Sequence, residues 1–115
     1  MTDRCIFCRI TGGQDSAPVL YQDDQVVAIK DIAPQAPHHV LIIPRRHIPT
    51  ILDLTEADNR LVGHVYQVAG NLARELGFSQ EGFRVVVNCN RDGGQAVWHL
   101  HFHLLAGRRL NWPPG

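Results

Sequence analysis

The sequence predicts an α+β fold in which a five-stranded, mostly antiparallel sheet carries one main helix on one face. Two features of the chain lead to this prediction. Five short runs favour β-strands, whereas a single longer run repeats apolar residues at helical spacing. The 115 residues are enough for one domain with its own core, so we expect a single domain over residues 1–115 with a C-terminal tail at 108–115.

The first half of the chain supplies three strands. Runs at 19–22 and 26–31 are separated by the turn Asp23-Asp24-Gln25, which indicates a hairpin. A third run at 39–43 is preceded by prolines and followed by Pro44, and prolines so placed exclude a helix there.

One helix is predicted between Thr55 and Gly77. The segment Thr55-Glu56-Ala57-Asp58 has the pattern of an N-cap followed by acidic residues in the first turn. Gly77 is typical of a helix end. Apolar residues recur at helical spacing between these limits and should pack on the sheet: Leu61, Val62, Val65, Val68, Ala69, Leu72, Ala73 and Leu76.

The last two strands flank a glycine-rich turn. A β-favouring run at 83–88 is followed by the turn segment 90–95 and then by the run 98–105, so these strands should form a hairpin. Successive side chains of a strand point to opposite faces. The last run therefore places three histidines on one face and three apolar residues on the other: His99, His101 and His103 against Leu100, Phe102 and Leu104.

The composition is that of an ordinary globular protein without a surplus of charge. Hydrophobic residues make up 44% of the chain, charged residues 19%, and the formal net charge is zero. Binding a nucleic-acid polymer or an acidic membrane would call for an excess of basic residues, so we expect neither partner. The apolar runs are too short to span a bilayer and no signal peptide is apparent, so we expect a cytoplasmic protein.

Three imidazoles on one face of a strand suggest two kinds of site. One is a metal site, since alternate histidines on a strand can chelate a divalent ion. The other is a nucleophile with helper groups, since neutral imidazole attacks phosphorus well near neutral pH. The turn Gly93-Gly94-Gln95 could direct backbone N–H groups at an anion, which favours phosphoryl or nucleotidyl transfer. A solvent-facing histidine stripe without such chemistry is the alternative.

Three segments resemble motifs of the histidine-triad nucleotide-binding proteins, most closely the Hint branch, and the resemblance covers the chain from Ile6 to Gly115. They are Asp31-Ile32-Ala33-Pro34-Gln35-Ala36-Pro37-His38-His39, Asp92-Gly93-Gly94-Gln95-Ala96-Val97-Trp98 with the histidines that follow, and the terminal Trp112-Pro113-Pro114-Gly115. The resemblance implies a homodimer with one ten-stranded sheet, binding of purine nucleotides (AMP or GMP) and hydrolysis of purine nucleoside 5′-phosphoramidates. A dinucleoside polyphosphate hydrolase or nucleotidyltransferase, and a dimeric nucleotide-binding module without catalytic function, are the alternatives.

The resemblance also assigns roles to individual residues. It makes His101 the nucleophile that becomes nucleotidylated, with His103 and His39 beside it. Asp31 would accept hydrogen bonds from the ribose hydroxyls. An apolar slot for the base would consist of Phe7, Ile10, Ile32 and Leu41. The other implied substrate contacts are Asn88, Gly94, Gln95, Val97 and Trp112. Without the resemblance, Asp31 would be a solvated carboxylate and the slot residues would be core.

The spacing Cys5-x-x-Cys8 is typical of a pair of metal ligands, but the chain has no second such pair. Two further ligands must come from elsewhere, and histidines are the obvious donors. The resemblance, which extends here to the galactose-1-phosphate uridylyltransferases, implies one structural zinc ion and no metal in the chemistry. Its ligands would be Cys5, Cys8, His47 and His99. The alternative is two free thiols.

One position departs from the family pattern. Ala96 stands where the Hint branch often has a serine near the leaving group. Either the histidines or water then protonate the departing amine, or activity on substrates with poor leaving groups is lower. No role is assigned to His38, His64 or Cys89.

Overall fold

The computed structural model describes residues 4–115, so residues 1–3 of the predicted domain lie outside the described residues. The helices and strands in chain order are α1 (Ile6–Thr11), β1 (Val19–Gln22), β2 (Val26–Lys30), β3 (His38–Pro44), α2 (Asn59–Leu76), β4 (Phe83–Val86), α3 (Asn90–Gly93) and β5 (Phe102–Ala106). The strands form one sheet in the order β1-β2-β3-β5-β4, and all neighbouring strands are antiparallel. The predicted fold class is confirmed.

The hairpin of β1 and β2 is stabilised at its turn by Asp23. This carboxylate accepts the backbone N–H groups of Gln25 and Val26 at 2.8 and 2.9 Å, the usual way in which aspartate fixes a turn. It also accepts the hydroxyl of Tyr21 at 2.7 Å and lies 2.6 Å from Nε2 of His64 in α2. Asp23 therefore joins the hairpin to the main helix.

The main helix begins later than predicted but ends where predicted. Thr55 precedes a short 3-10 turn, Glu56–Asp58, and its amide donates to the Asp58 carboxylate at 2.9 Å. The α-helix itself starts at Asn59 and ends before Gly77, whose φ of +87° favours glycine. Within residues 4–115, no helix is long and apolar enough to cross a membrane.

The sheet separates two apolar clusters because alternate residues of its strands face opposite ways. The larger cluster lies between the sheet and α2 and includes Val26 and Ala28 of β2, with the predicted helix residues Val65, Val68, Ala69, Leu72 and Ala73. The smaller cluster lies on the other face, which α1 covers, and its buried members are Phe7, Val27, Ile29, Leu41 and Ile43.

The predicted histidine strand at 98–105 is wrong in its first half. β5 starts only at Phe102, so of the three histidines only His103 lies in the strand. The ladder with β3 stops at the pair Ile42–Phe102; two residues further along β3 stands Pro44, which has no amide to donate to a longer ladder. The amide of Leu100 bonds instead to the carbonyl of Ile48, at 2.6 Å. The alternation of faces is nevertheless confirmed, since Leu100, Phe102 and Leu104 belong to the larger cluster, whereas His99 and His101 contact Phe7 of the smaller one.

Other element boundaries differ from the predictions by one or two residues, and two helices were not predicted. Both α1 and α3 are too short, at six and four residues, to show a helical period in the sequence.

Replacing Leu104 by alanine should lower the free energy of unfolding by about 2–5 kcal/mol, since this side chain is fully buried between the sheet and α2. Leu52→Ala is the matched control, because Leu52 is 73% exposed and its truncation should cost less than about 0.5 kcal/mol. Urea unfolding followed by circular dichroism measures both. Equal losses would contradict this description of the core.

Candidate active site

Three histidines meet on the sheet face that α1 covers. β3 carries His39, β5 carries His103, and His101 lies just before β5. Nε2 of His39 is 2.9 Å from Nδ1 of His103, and the ring centroids of His101 and His103 are 5.0 Å apart. The strand register explains the first contact, because His103 lies opposite Leu41, two residues from His39 on the same face of β3. The structure thus brings together the three residues predicted to do chemistry.

A chain of hydrogen bonds fixes the protons of His39 and His103. The backbone N–H of Gln35 donates to Nδ1 of His39 at 3.0 Å, so this nitrogen carries no proton. Neutral His39 therefore has its proton on Nε2 and donates it to Nδ1 of His103. Neutral His103 in turn has its proton on Nε2. It can donate that proton to a phosphate oxygen.

His101 has the opposite tautomer. Its Nδ1–H donates to the backbone carbonyl of His99 at 2.8 Å. In the neutral ring the lone pair is therefore on Nε2. The side chain is only 8% exposed, so few orientations are open to it. The arrangement leaves Nε2 of His101 as the nitrogen available for nucleophilic attack.

Burial keeps the neighbouring histidines uncharged. It is the main cause that lowers the pKa of His103 to about 4, and the nearby rings of His101 and His39 lower it further while Asp31 opposes the shift. Burial likewise lowers the pKa of His39 below its ordinary value, again against the effect of Asp31. Both rings are therefore neutral at pH 7.

Asp31 lies at the edge of this group. One carboxylate oxygen accepts the backbone N–H of Ala33 at 2.8 Å, and the other is 3.3 Å from Nε2 of His39. The ligand atoms of Asp31, His39 and His103 are close enough to hold a metal ion. However, the bond from Gln35 leaves Nε2 of His39 protonated, so these atoms act as a hydrogen-bonded chain and not as a ligand set.

The predicted base slot is only partly assembled. The ring of Phe7 stands edge-on to His101, with centroids 5.0 Å apart, and Leu41 is buried in the same cluster. Ile10 and Val97 pack against this cluster. Ile32 is 92% exposed and lies outside it.

The loop before β5 is ordered by its own polar groups. The side-chain amide of Asn88 donates to the carbonyl of Gly93, and that of Gln95 donates to the carbonyls of Pro49 and Val97 at 2.8 and 3.0 Å. The backbone amides of Gly94 and Gln95 were predicted to face an anion. Instead, the amide of Gly94 donates to the carbonyl of Arg91, and the amide of Gln95 donates to the carbonyl of Asn90. These bonds cap the C-terminal end of the short helix α3.

The C-terminal tail is held at its start. The guanidinium of Arg84 donates to the carbonyls of Leu110 and Asn111, both at 3.1 Å. Trp112 beyond them is 81% exposed. Trp112, a predicted substrate contact, is therefore open to solvent and is not buried against its own chain.

The four predicted metal ligands form a cluster around α1. Nδ1 of His99 lies 3.3 Å from Sγ of Cys5 and 3.5 Å from Sγ of Cys8. Nδ1 of His47 lies 3.3 Å from Sγ of Cys8 and 3.2 Å from Nδ1 of His99. Tetrahedral zinc with ordinary bond lengths would separate nitrogen from nitrogen by about 3.3 Å and sulfur from nitrogen by about 3.5 Å. The cluster has these dimensions and could bind a metal ion.

The surroundings of His99 prepare it as a ligand. Its ring is fully buried, which lowers its pKa. Its Nε2 lies 2.7 Å from the carbonyl oxygen of Pro44 and donates to it, so Nδ1 has the lone pair. A second hydrogen bond that orients a ligating histidine in this way is usual at metal sites.

Sequence reasoning missed the backbone groups that set these tautomers. The amide of Gln35 and the carbonyls of His99 and Pro44 determine which imidazole nitrogens have lone pairs. Backbone groups are the same in every residue except proline. No sequence pattern could have identified them.

Comparison with known proteins agrees with this geometry. The family model described as "Scavenger mRNA decapping enzyme C-term binding" matches residues 4–110. A purine nucleoside phosphoramidase of Escherichia coli strain K12 is 43% identical over 110 residues, 96% of this chain and 92% of that protein.

Solved structures show the same fold. A HIT family hydrolase from Legionella pneumophila Philadelphia 1 has a TM-score of 0.95 and 47% identity, covering 96% of this chain and 99% of that chain. A zinc-bound histidine triad family protein from Mycobacterium smegmatis has a TM-score of 0.80 and 29% identity, covering 100% of this chain and 82% of that chain. On the match of the family model and of these relatives over nearly the whole length, the chain belongs to the histidine-triad (HIT) family.

Proposed function

We propose that the protein hydrolyses purine nucleoside 5′-phosphoramidates, of the adenosine 5′-monophosphoramidate type, through a nucleotide attached covalently to His101. The observation that carries the proposal is the hydrogen bond from Nδ1–H of His101 to the carbonyl of His99, which leaves Nε2 free for attack. The name of the relative from Escherichia coli, a purine nucleoside phosphoramidase, supports the choice of substrate.

The reaction has two steps. Nε2 of His101 forms a bond to the α-phosphorus while the bond from phosphorus to the amine nitrogen breaks, and the amine leaves with a proton taken from a water molecule. A second water molecule then attacks the same phosphorus and gives its proton to the hydroxide left by the first step, while the bond to Nε2 breaks and the free nucleotide is released. In the intermediate the imidazole has a positive charge and keeps its proton on Nδ1, where the carbonyl of His99 stabilises it. Nε2–H of His103 would donate to a phosphate oxygen throughout.

The remaining substrate contacts belong to the same proposal. Asp31 would bind the ribose hydroxyls through the oxygen that faces His39. The exposed Ile32 would close over the base and become buried beside the cluster when nucleotide binds. The other contacts would be made by Phe7, Ile10, Leu41, Asn88 and Val97.

The cluster of Cys5, Cys8, His47 and His99 would hold zinc. Two sulfur and two nitrogen ligands in a tetrahedron suit zinc better than harder cations. Four protein ligands leave no position for water, so the ion would be structural and would take no part in the chemistry. The zinc-bound relative from Mycobacterium smegmatis supports this choice of metal.

We further propose a homodimer in which the β4 strands of two chains pair to make a ten-stranded sheet. β4 is an edge strand, and Phe83 at its start is 42% exposed. An open cavity of about 680 Å³, lined in part by Phe78 and Leu110, lies beside this edge and could receive side chains of the second copy. Trp112 in the tail would then reach the substrate site of the partner.

Replacing His101 by alanine should lower turnover of adenosine 5′-monophosphoramidate by roughly a thousandfold or more, because the nucleophile is lost. His64→Ala is the control, since His64 contacts Asp23 on the helix side of the sheet and should leave turnover near wild type. Chromatography of released AMP measures both. If wild type and His101→Ala turn over the substrate at the same rate, His101 is not the nucleophile. If both proteins then still bind AMP, the result would favour a nucleotide-binding module without catalytic function.

Purified protein should contain one zinc ion per chain, and the double substitution Cys5→Ser plus Cys8→Ser should abolish it. Cys89→Ser removes the third cysteine of the chain without touching the cluster and should leave the zinc in place. Elemental analysis by mass spectrometry gives the metal content. The zinc site would be refuted if wild-type protein lacked stoichiometric zinc. It would also be refuted if the double variant kept the same zinc content as wild type.

Sedimentation equilibrium at micromolar concentration should give the mass of two chains. Phe83→Glu should give the mass of one chain, because a charge would be placed at the paired edge. Val19→Glu is the matched control, since Val19 is 43% exposed on the opposite edge strand β1 and should leave the dimer intact. Dissociation by the control and not by Phe83→Glu would show that the other edge pairs.

A further inference from the structure

We propose that the metal cluster positions the nucleophile, so that metal binding by Cys5, Cys8, His47 and His99 controls how much of His101 is in its reactive tautomer. The inference deepens the proposed function and rests on it, because it takes His101 as the nucleophile. It also assigns His47, which is exposed and contacts Cys8 and His99 of the cluster, a positioning role in catalysis.

His99 is the direct link between the two sites. Its Nδ1 belongs to the cluster, its Nε2–H donates to the carbonyl of Pro44, and its own carbonyl accepts Nδ1–H of His101. Only three bonds, Cγ–Cβ, Cβ–Cα and Cα–C, separate the ring from this carbonyl. Holding the ring at two nitrogens therefore holds the peptide group that selects the tautomer of His101.

Phe7 is a second link. It lies between the two cysteine ligands in α1, and its ring stands edge-on both to His101, at 5.0 Å, and to His99, at 6.0 Å. A metal ion bound by Cys5 and Cys8 would fix the start of α1 and with it this contact. The cluster thus controls two of the groups that touch the nucleophile.

The consequence for chemistry follows from the single proton of neutral imidazole. If the carbonyl of His99 shifts, Nδ1 of His101 loses its acceptor and the proton can move to Nε2, where it blocks attack. A small displacement of a reacting group can lower a rate by about tenfold to a hundredfold. Loss of the metal should therefore lower kcat more than it changes KM.

His47 is the ligand best suited to a test. Its side chain contacts Cys8 and His99, both in the cluster. His47→Ala should weaken metal binding without removing any group that touches His101. His47→Cys keeps a ligand, since three cysteines and one histidine also bind zinc, and should restore both the metal and the rate. His64→Ala controls for a general loss of stability, because it removes a histidine bonded to Asp23 away from the site.

The experiment records the ¹⁵N shifts of the His101 ring by NMR and, on the same samples, zinc content, kcat and KM with adenosine 5′-monophosphoramidate. Wild type, His47→Cys and His64→Ala should show a protonated Nδ1 and an unprotonated Nε2. His47→Ala should lose zinc, show a mixture of tautomers, and lose about tenfold or more in kcat with KM nearly unchanged. If His47→Ala does not fold, stepwise removal of zinc from wild type by a chelator replaces it, and the fraction of His101 protonated at Nδ1 should follow zinc occupancy.

Zinc loss with unchanged tautomer and unchanged kcat would overturn the inference, and the cluster would serve stability alone. The tautomer of His101 could follow zinc occupancy in a protein that does not turn over the phosphoramidate. This result would support the coupling between the cluster and His101 and would reject the proposed function. The two failures are therefore distinguishable.

Discussion

The hydrogen bond between Nδ1–H of His101 and the carbonyl of His99 is the interaction on which the candidate site depends. It decides which nitrogen of a neutral imidazole has the lone pair, and so decides whether His101 can be a nucleophile. The acceptor belongs to a residue that is fully buried and whose ring lies in the metal cluster. One residue thus connects the fold, the cluster and the nitrogen that we propose as the nucleophile.

The second constraint is electrostatic. The rings of His101 and His103 are 5.0 Å apart, and two unit charges at that distance repel by about 3 kcal/mol at an effective dielectric constant of about 20. In the proposed reaction His101 would become positively charged when phosphorus bonds to it, which requires neutral neighbours. Burial provides this by lowering the pKa of His39 and of His103, and the donor chain that begins at the Gln35 amide gives each neutral ring a defined proton.

Local patterns in the sequence were enough for much of the fold, and the reasons for the misses are physical. The alternation of histidine and apolar residues from 99 to 104 correctly assigned the two faces, although the backbone bends at 97–99 and only Phe102–Ala106 forms a strand. The start of β5 could not be predicted, since it depends on how far the pairing with β3 extends. Spacing alone pointed to the histidines at 99, 101 and 103 and to the pair Cys5 and Cys8, whereas their individual roles, and the other residues of the site, were predictable only through resemblance to a family. The tautomers depend on backbone groups that leave no trace in the sequence.

The most direct test of this account is to trap the covalent intermediate. Wild-type protein is mixed with adenosine 5′-monophosphoramidate, quenched within the first turnover in a base that preserves phosphorus–nitrogen bonds, digested and mapped by mass spectrometry. We expect one adenylyl group, found on His101 and absent from His39, His99 and His103. An adenylyl group on any of these other histidines, or rapid turnover with none trapped on any residue, would contradict it.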